Sequence, residues 1–108
     1  MIYTVDEIRQ NVSPIAKKYC LPALYLFGSY ARGTANENSD VDLIVDTAGT
    51  QIKSLLTLGA LYVDLEEALG KRIDLITVSA LQQRVQLPGE KSFRDTVWKE
   101  KVNLYDAA

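Results

Sequence analysis

Two short apolar segments flank a long helical segment in the middle of this chain, and this pattern most constrains how it can fold. The segments VDLIVD (41–46) and RIDLIT (72–77) have the length and composition of strands. Residues 51–69 carry apolar side chains at helical spacing, which predicts a long helix with a broad apolar face, closed by Gly70. A strand, a long helix and a second strand predict two parallel neighbours joined by a crossover.

The N-terminal quarter of the chain predicts two helical pieces followed by a buried strand. Thr4 and Glu7 form a capping-box pattern at the start of the first helix. A serine and a proline at 13–14 predict a second short helix, kinked from the first, through about Tyr19. ALYLF (23–27) is an apolar run between a proline and a glycine, so it is predicted to be a buried strand.

The C-terminal third predicts two more helices and leaves its last segment open. A short helix is expected around residues 79–86, and a longer helix from Ser92 to about Lys101. Residues 102–105 fit either an edge strand or the end of that helix. Helices that alternate with short strands predict a fold of the α/β or α+β class.

The composition fits one ordinary domain over residues 1–108. The chain has 108 residues, 47% of them hydrophobic and 24% charged, which is sufficient for one core. A net charge of −2 predicts no bulk binding of nucleic acid or anionic membrane. The absence of histidine excludes Ser-His-Asp and Cys-His chemistry, and zinc sites that need imidazole, within the chain.

The single cysteine and the N-terminal segment carry no targeting or redox signal. Cys20 stands among apolar residues and is predicted to be a small buried side chain. The first residues lack the basic and then apolar pattern of a signal peptide, and no apolar stretch approaches membrane-spanning length. The expected compartment is therefore the cytoplasm.

Three aspartates are candidates for a metal site. Because alternate side chains of a strand share a face, Asp40 and Asp42 are expected to point the same way. Asp74 lies near the start of the next parallel strand, and neighbouring strands are roughly 4.8 Å apart, so a third carboxylate is expected beside the first two. Clustered carboxylates repel unless a cation lies between them, and Mg²⁺ prefers such oxygen ligands.

A glycine, a serine and an arginine are candidates for binding phosphate at the same edge. If segment 23–27 pairs antiparallel with 41–46, its end brings Gly28 and Ser29 to the aspartates. Glycine permits close approach of the backbone to a phosphate, serine adds donors, and Arg32 can neutralise phosphate charge. The set suits in-line transfer of a nucleotidyl group from a nucleoside triphosphate, with pyrophosphate leaving.

Each of these features also has a purely structural explanation. Aspartates at strand ends often cap turns, Gly-Ser is a common turn dipeptide, and Asp74 or Arg32 alone could simply be solvated. Any one of them is more often structural than functional. Their joint arrangement favours a catalytic site.

The stretch LFGSYARGTANENSDVDLIV resembles the signature of the polymerase-beta-like nucleotidyltransferase superfamily, which is Gly-Ser, ten residues and then Asp-x-Asp. The third acidic residue of the superfamily is matched within KRIDLIT, and the resemblance extends over nearly the whole chain. It implies a small mixed sheet in strand order 1-2-3, flanked by helices. The matching positions are Gly28, Ser29, Asp40, Asp42 and Asp74.

Within the superfamily, the short chain looks like the minimal nucleotidyltransferases. Many of these are encoded beside an all-helical HEPN protein, a toxin that is typically an RNase, and act as its antitoxin. The resemblance implies transfer of AMP from ATP to a tyrosine of the toxin. It also implies that Asp40 and Asp42 bind two Mg²⁺ ions, that Asp74 completes the site and helps to activate the acceptor hydroxyl, and that Gly28 and Ser29 hold the triphosphate.

Two other functions fit the same sequence. The chain could neutralise a toxin by binding alone, or transfer a nucleotidyl group to a small molecule such as an antibiotic. Template-directed DNA synthesis is disfavoured because no basic groove is evident. The acceptor, the base preference, the oligomeric state and the roles of Trp98 and Tyr105 stay open at this level.

Overall fold

A four-stranded sheet forms the centre of the protein, and helices pack on both of its faces. The computed structural model describes residues 2–83 and 90–107. In chain order the elements of that part are α1 (Val5–Lys18), β1 (Ala23–Phe27), α2 (Gly28–Arg32), β2 (Val41–Asp46), α3 (Leu55–Leu69), β3 (Ile73–Thr77), α4 (Val78–Gln83), α5 (Glu90–Glu100) and β4 (Val102–Asp106).

The strand order across the sheet is β3-β2-β1-β4. β2 and β3 pair in parallel through the crossover helix α3, whereas β1 pairs antiparallel with both β2 and β4. The expected α+β fold and the order of the first three strands are confirmed. Residues 102–105 belong to an edge strand, which adds a fourth position beyond β1.

The two faces of the sheet carry cores of different size. Leu43 lies in the larger core, which α1 and α3 cover, and its neighbour Ile44 lies in a smaller one, which α4 and α5 cover. Strand alternation explains this division, because successive side chains of β2 point to opposite faces. The buried members of the smaller core are Ile44, Leu81 and Val97. Asp42 shares the face of Ile44, so the carboxylates lie on the side of the smaller core.

Helix α1 runs without a break through Pro14, so the predicted second, kinked helix is wrong. The Ser13 hydroxyl does not cap a new helix but donates to the Arg9 carbonyl at 2.6 Å. Ile8 and Val12, on one face of α1, are fully buried, and that buried face continues beyond the proline. Packing of this face on the sheet stabilises one helix despite the hydrogen bond that proline removes.

Cys20 is exposed, so the prediction that it is buried is wrong. It follows the last turn of α1 with φ of +55°. Its N–H donates to the Lys17 carbonyl at 3.1 Å, and the Leu21 N–H donates to the Ala16 carbonyl at 3.0 Å, which is a Schellman motif. The motif turns Leu21 into the core, and the side chain before it faces solvent.

Helix α3 begins at Leu55, four residues later than its apolar pattern predicts. Ser54 caps it by accepting the Thr57 N–H at 3.2 Å, and the Thr57 hydroxyl accepts the Ser54 N–H at 3.1 Å. Leu55 and Leu56 are 88% and 84% exposed, because the first turn of α3 extends past the larger core. The fully buried side of the helix consists of Leu61, Leu65 and Leu69.

The C-terminal elements differ from the predicted bounds at their ends. The expected short helix is α4, and the part of it predicted for residues 84–86 lies outside the described residues. α5 begins at Glu90, before the predicted cap at Ser92. Trp98 is 41% exposed, whereas Tyr105 packs against the larger core. In the described part of the chain, no helix has the length and apolarity needed to cross a membrane.

Candidate active site

Two carboxylates face each other at the start of the parallel strand pair. Asp42 of β2 and Asp74 of β3 are direct partners in the strand register. Burial raises the pKa of Asp42 to about 6, and a hydrogen bond with Asp74 and the charges of Asp74 and Asp40 act in the same direction. The Arg32 guanidinium opposes this rise. The sequence expectation that Asp42 and Asp74 meet at one edge is confirmed.

The end of β1 brings Gly28 against the same carboxylate pair. Phe27 is the antiparallel partner of Asp42, so the next residue, Gly28, passes directly over the Asp42 side chain. A β-carbon on Gly28 would lie 2.0 Å from Asp42 Oδ2, and the φ of Gly28 is +73°. Only glycine satisfies both conditions. Ser29 follows in the first turn of α2, and its role in binding phosphate stays a prediction.

Arg32 ends α2 and carries positive charge near the carboxylates. Its Nη1 lies 3.6 Å from Glu100 Oε2 at the end of α5, and both side chains are partly exposed. Its opposing effect on the pKa of Asp42 shows that its charge acts on this site. Arg32 therefore lies within electrostatic range of Asp42, and its role in binding phosphate stays a prediction.

Asp40 lies before the first residue of β2 and lines a different cavity from Asp42. That cavity has a volume of about 490 Å³, and its walls are residues 37–40 and 70–72. Strand alternation does not fix the direction of Asp40, since the strand begins only at Val41. Within residues 2–83 and 90–107, no group of three or more Asp, Glu, His or Cys side chains is arranged to hold a metal ion. The role of Asp40 as a ligand stays a prediction.

A cavity of about 390 Å³ opens in front of Asp42 and Asp74. Its other walls are Phe27, Leu75, Ile76 and Phe93. Sequence reasoning missed both aromatic residues of this set. Phe27 was visible only as the end of an apolar strand, and Phe93 only as the start of an apolar stripe with Val97 on one helix.

The donor set at this edge fits a hard divalent cation such as Mg²⁺. Asp42 and Asp74 supply carboxylate oxygens in direct register, and Asp40 adds negative charge close enough to raise the pKa of Asp42. A cation between the carboxylates would relieve the repulsion that now favours a proton there. Asp42 and Asp74 are the residues that would hold it.

Comparisons with known proteins identify the family of this chain and its fold. The nucleotidyltransferase domain family matches residues 5–103. The protein adenylyltransferase MntA of Thermococcus cleftensis is 39% identical over 86 residues, which are 76% of this chain and 85% of that protein. A chain of a toxin–antitoxin crystal structure with AMP-PNP superposes with a TM-score of 0.66 at 25% identity, over 92% of this chain and 73% of that one.

A further solved structure shares the fold alone. A chain in the complex of tri-AMPylated Shewanella oneidensis HEPN toxin with MNT antitoxin has a TM-score of 0.62 at 18% identity. The superposition covers 96% of this chain and 74% of that one. From the family match over residues 5–103 and the arrangement of its site, this chain belongs to the nucleotidyltransferase domain family of enzymes.

Proposed function

We propose that this protein is a Mg²⁺-dependent protein adenylyltransferase that acts as an antitoxin. It transfers AMP from ATP to a tyrosine of a partner HEPN toxin, and the modification neutralises the toxin. The observation that carries the proposal is the close approach of Gly28 to Asp42, the register partner of Asp74, because a glycine turn can bind phosphate and paired carboxylates can bind a metal.

Two relatives support the choice of acceptor and nucleotide. The Thermococcus cleftensis relative is a protein adenylyltransferase, which favours a protein acceptor over a small molecule. The structural neighbour at 25% identity is a toxin–antitoxin with AMP-PNP, an analogue of ATP. Together they favour AMP transfer to a toxin partner.

The proposed reaction forms one bond and breaks one. The acceptor's phenolic oxygen bonds to the α-phosphorus of ATP, the bond from that phosphorus to the bridging oxygen breaks, and pyrophosphate leaves. A carboxylate oxygen of Asp74, which is exposed, accepts the phenolic proton. The backbone of Gly28 and Ser29 holds the phosphates, and Arg32 neutralises part of their charge. Asp42 and Asp74 would hold Mg²⁺, which would neutralise further phosphate charge.

The test is modification of the partner encoded by the neighbouring gene. The protein, ATP and Mg²⁺ are incubated with that partner, and intact mass and tryptic mapping follow addition of AMP. We expect the wild type to add AMP to a tyrosine, and Asp42→Asn and Asp74→Asn to add none. Asp6→Asn is the matched control, since Asp6 is an exposed carboxylate on α1, on the opposite face of the sheet.

An unmodified partner after incubation with wild type would contradict the proposal. So would equal modification by wild type and Asp42→Asn. Modification at serine or threonine would keep the enzyme class and overturn the tyrosine assignment.

Neutralisation by binding alone is the second candidate, and the position of Asp40 favours it. Asp40 lines a cavity separate from that of Asp42 and Asp74, although its charge still acts on Asp42. The double variant Asp40→Asn/Asp42→Asn distinguishes the two functions in cells that express the toxin. Full rescue of growth by this variant would support binding, and loss of rescue would support catalysis.

A further inference from the structure

Phe93 is an aromatic side chain that α5 holds over the carboxylate end of the sheet. Phe93 and Val97 are four residues apart, so they share one face of the helix. Val97 is buried in the smaller core against the sheet, whereas Phe93 is 42% exposed. The apolar stripe of α5 therefore continues from the smaller core to the cavity that Asp42 and Asp74 line.

The cavity beneath Phe93 has one charged wall and one apolar wall. Asp42 and Asp74 form the charged wall, and Phe93 and Phe27 belong to the apolar wall. The volume of about 390 Å³ is in the range of small-molecule sites, roughly 300–1,000 Å³. A nucleoside triphosphate with Mg²⁺ matches this division, because a cation held by the carboxylates would attract its phosphates and its flat base needs an apolar surface.

Among the residues that the structure describes, the apolar wall has no side-chain group that can read the identity of a base. Its members are Phe27, Leu75, Ile76 and Phe93, and none of these side chains donates or accepts a hydrogen bond. Stacking on an aromatic ring tolerates any base, because every base has a π-face. Discrimination between bases would require donors and acceptors aimed at their edges.

We propose that Phe93 stacks on the base of the bound nucleoside triphosphate and contributes affinity without selecting which base is bound. This proposal rests on the proposed function, since it places the triphosphate of that reaction at Gly28 and Asp42. It assigns Phe93 as a substrate-contacting residue that is separate from the carboxylates.

The test measures binding calorimetrically with the full chain and Mg²⁺. The ligands are non-hydrolysable analogues of ATP and GTP, and inorganic tripolyphosphate, which has no base. Phe93→Ala and Phe93→Leu are expected to weaken both analogues by about 5- to 100-fold, the range of base–aromatic stacking. Phe93→Tyr keeps the ring and should stay within about 3-fold of wild type. Tripolyphosphate should bind all four proteins alike.

Phe93→Leu separates stacking from packing, because it keeps apolar bulk and removes the ring. Affinity of Phe93→Leu equal to wild type would overturn the proposal. So would a parallel loss of tripolyphosphate affinity in Phe93→Ala, which would indicate that the cavity itself had collapsed. Val63→Ala, an exposed apolar residue on α3 across the sheet, controls for a general effect of truncation.

The second part of the proposal, that the site does not select the base, is tested by comparing the two analogues. Affinities of wild type for the ATP and GTP analogues that differ by more than about tenfold would overturn it, since stacking alone gives no such preference. Normal analogue binding by Phe93→Ala would overturn stacking and leave the proposed function standing. Failure of wild type to bind both the analogues and tripolyphosphate would overturn both proposals.

Discussion

A β-carbon on Gly28 would fit only if the Asp42 side chain moved. The Asp42 carboxylate lies where a β-carbon of Gly28 would be, with Oδ2 at 2.0 Å and Cγ at 3.0 Å from that position. The positive φ of Gly28 is a separate reason for glycine. At the residue scale, the close approach of Gly28 to Asp42 shapes the site. The positive φ of Gly28 shapes the turn that makes this approach possible.

Gly28→Ala is expected to lower the free energy of unfolding by about 3 kcal/mol and to abolish nucleotidyl transfer. About 1 kcal/mol of this comes from the left-handed backbone, and the rest from displacement of Asp42. Gly33→Ala is the matched control, because Gly33 has φ of +79° and open space at its β-carbon position. Chemical denaturation measures the free energy of unfolding of both variants. Equal losses in the two variants would mean that Asp42 moves aside without strain.

Asp42→Asn is expected to stabilise the metal-free protein at neutral pH while removing activity. The folded pKa of Asp42 is about 6, above an unfolded value near 3.8. The protonated form is therefore favoured by folding, and its contribution is fully present below pH 3.8 and lost as the pH rises through 6. Asparagine stays neutral throughout. We expect the variant to exceed wild type by about 1 kcal/mol at pH 7.5 and to equal it near pH 4, with solvent screening included.

Denaturation with and without Mg²⁺ provides the control for this pH effect. Added Mg²⁺ should stabilise wild type at pH 7.5 and leave Asp42→Asn unchanged, because the cation needs the charged carboxylate. A variant less stable than wild type at pH 7.5 without metal would contradict the assigned direction of the pKa shift.

At the scale of elements, two helices end in the same left-handed conformation with different residues. α3 ends on Gly70 with φ of +63°, whereas α1 is followed by Cys20 with φ of +55°. Glycine adopts this angle freely, and a side chain does not. The Schellman hydrogen bonds and the burial of Leu21 therefore hold the end of α1 in a backbone conformation that a cysteine disfavours.

Cys20→Gly is expected to raise the free energy of unfolding by about 1 kcal/mol. The substitution relieves the left-handed strain and leaves the backbone hydrogen bonds of the motif intact. Cys20→Ala keeps a β-carbon and should change stability by less than about 0.5 kcal/mol. Thermal and urea unfolding under reducing conditions measure both. A loss of stability in Cys20→Gly would show that the thiol itself makes a stabilising contact.

For the whole molecule, the first helix and the last strand close one core. Arg9 Nη2 of α1 donates to the Asn103 carbonyl of β4 at 2.9 Å. Leu104 of β4 is 2% exposed and lies in the larger core with Ile8 of α1. β4 also covers the edge of β1, the strand that carries Gly28 into the site. The order of the site therefore depends on contacts between the two ends of the chain.

Leu104→Ala is expected to lower the free energy of unfolding by about 2–5 kcal/mol, the usual range for a buried leucine. The matched control is Leu55→Ala. Leu55 is 88% exposed, so its truncation should change stability by less than about 0.5 kcal/mol. Urea denaturation compares the two variants. Similar small effects at both positions would contradict the assignment of β4 to the core.

By itself, the sequence determined the first three strands, the crossover and the meeting of Gly28, Asp42 and Asp74. These follow from periodicity and pairing rules that act over a few residues, so a strand's ends and its direction are sufficient to predict which side chains meet at its edge. The family signature points to the same residues. Its spacing between Gly-Ser and Asp-x-Asp reflects the length of the segment between β1 and β2.

Only the tertiary structure decided which cavity Asp40 lines, the exposure of Cys20 and the continuity of α1 through Pro14. It also decided that Phe27 and Phe93, far apart in the chain, line one cavity with the carboxylates. Each of these depends on which distant segment a residue packs against, and local patterns carry no information on that. Burial between segments can outweigh the propensity of one residue, so a proline stays inside a helix and a cysteine adopts a left-handed angle.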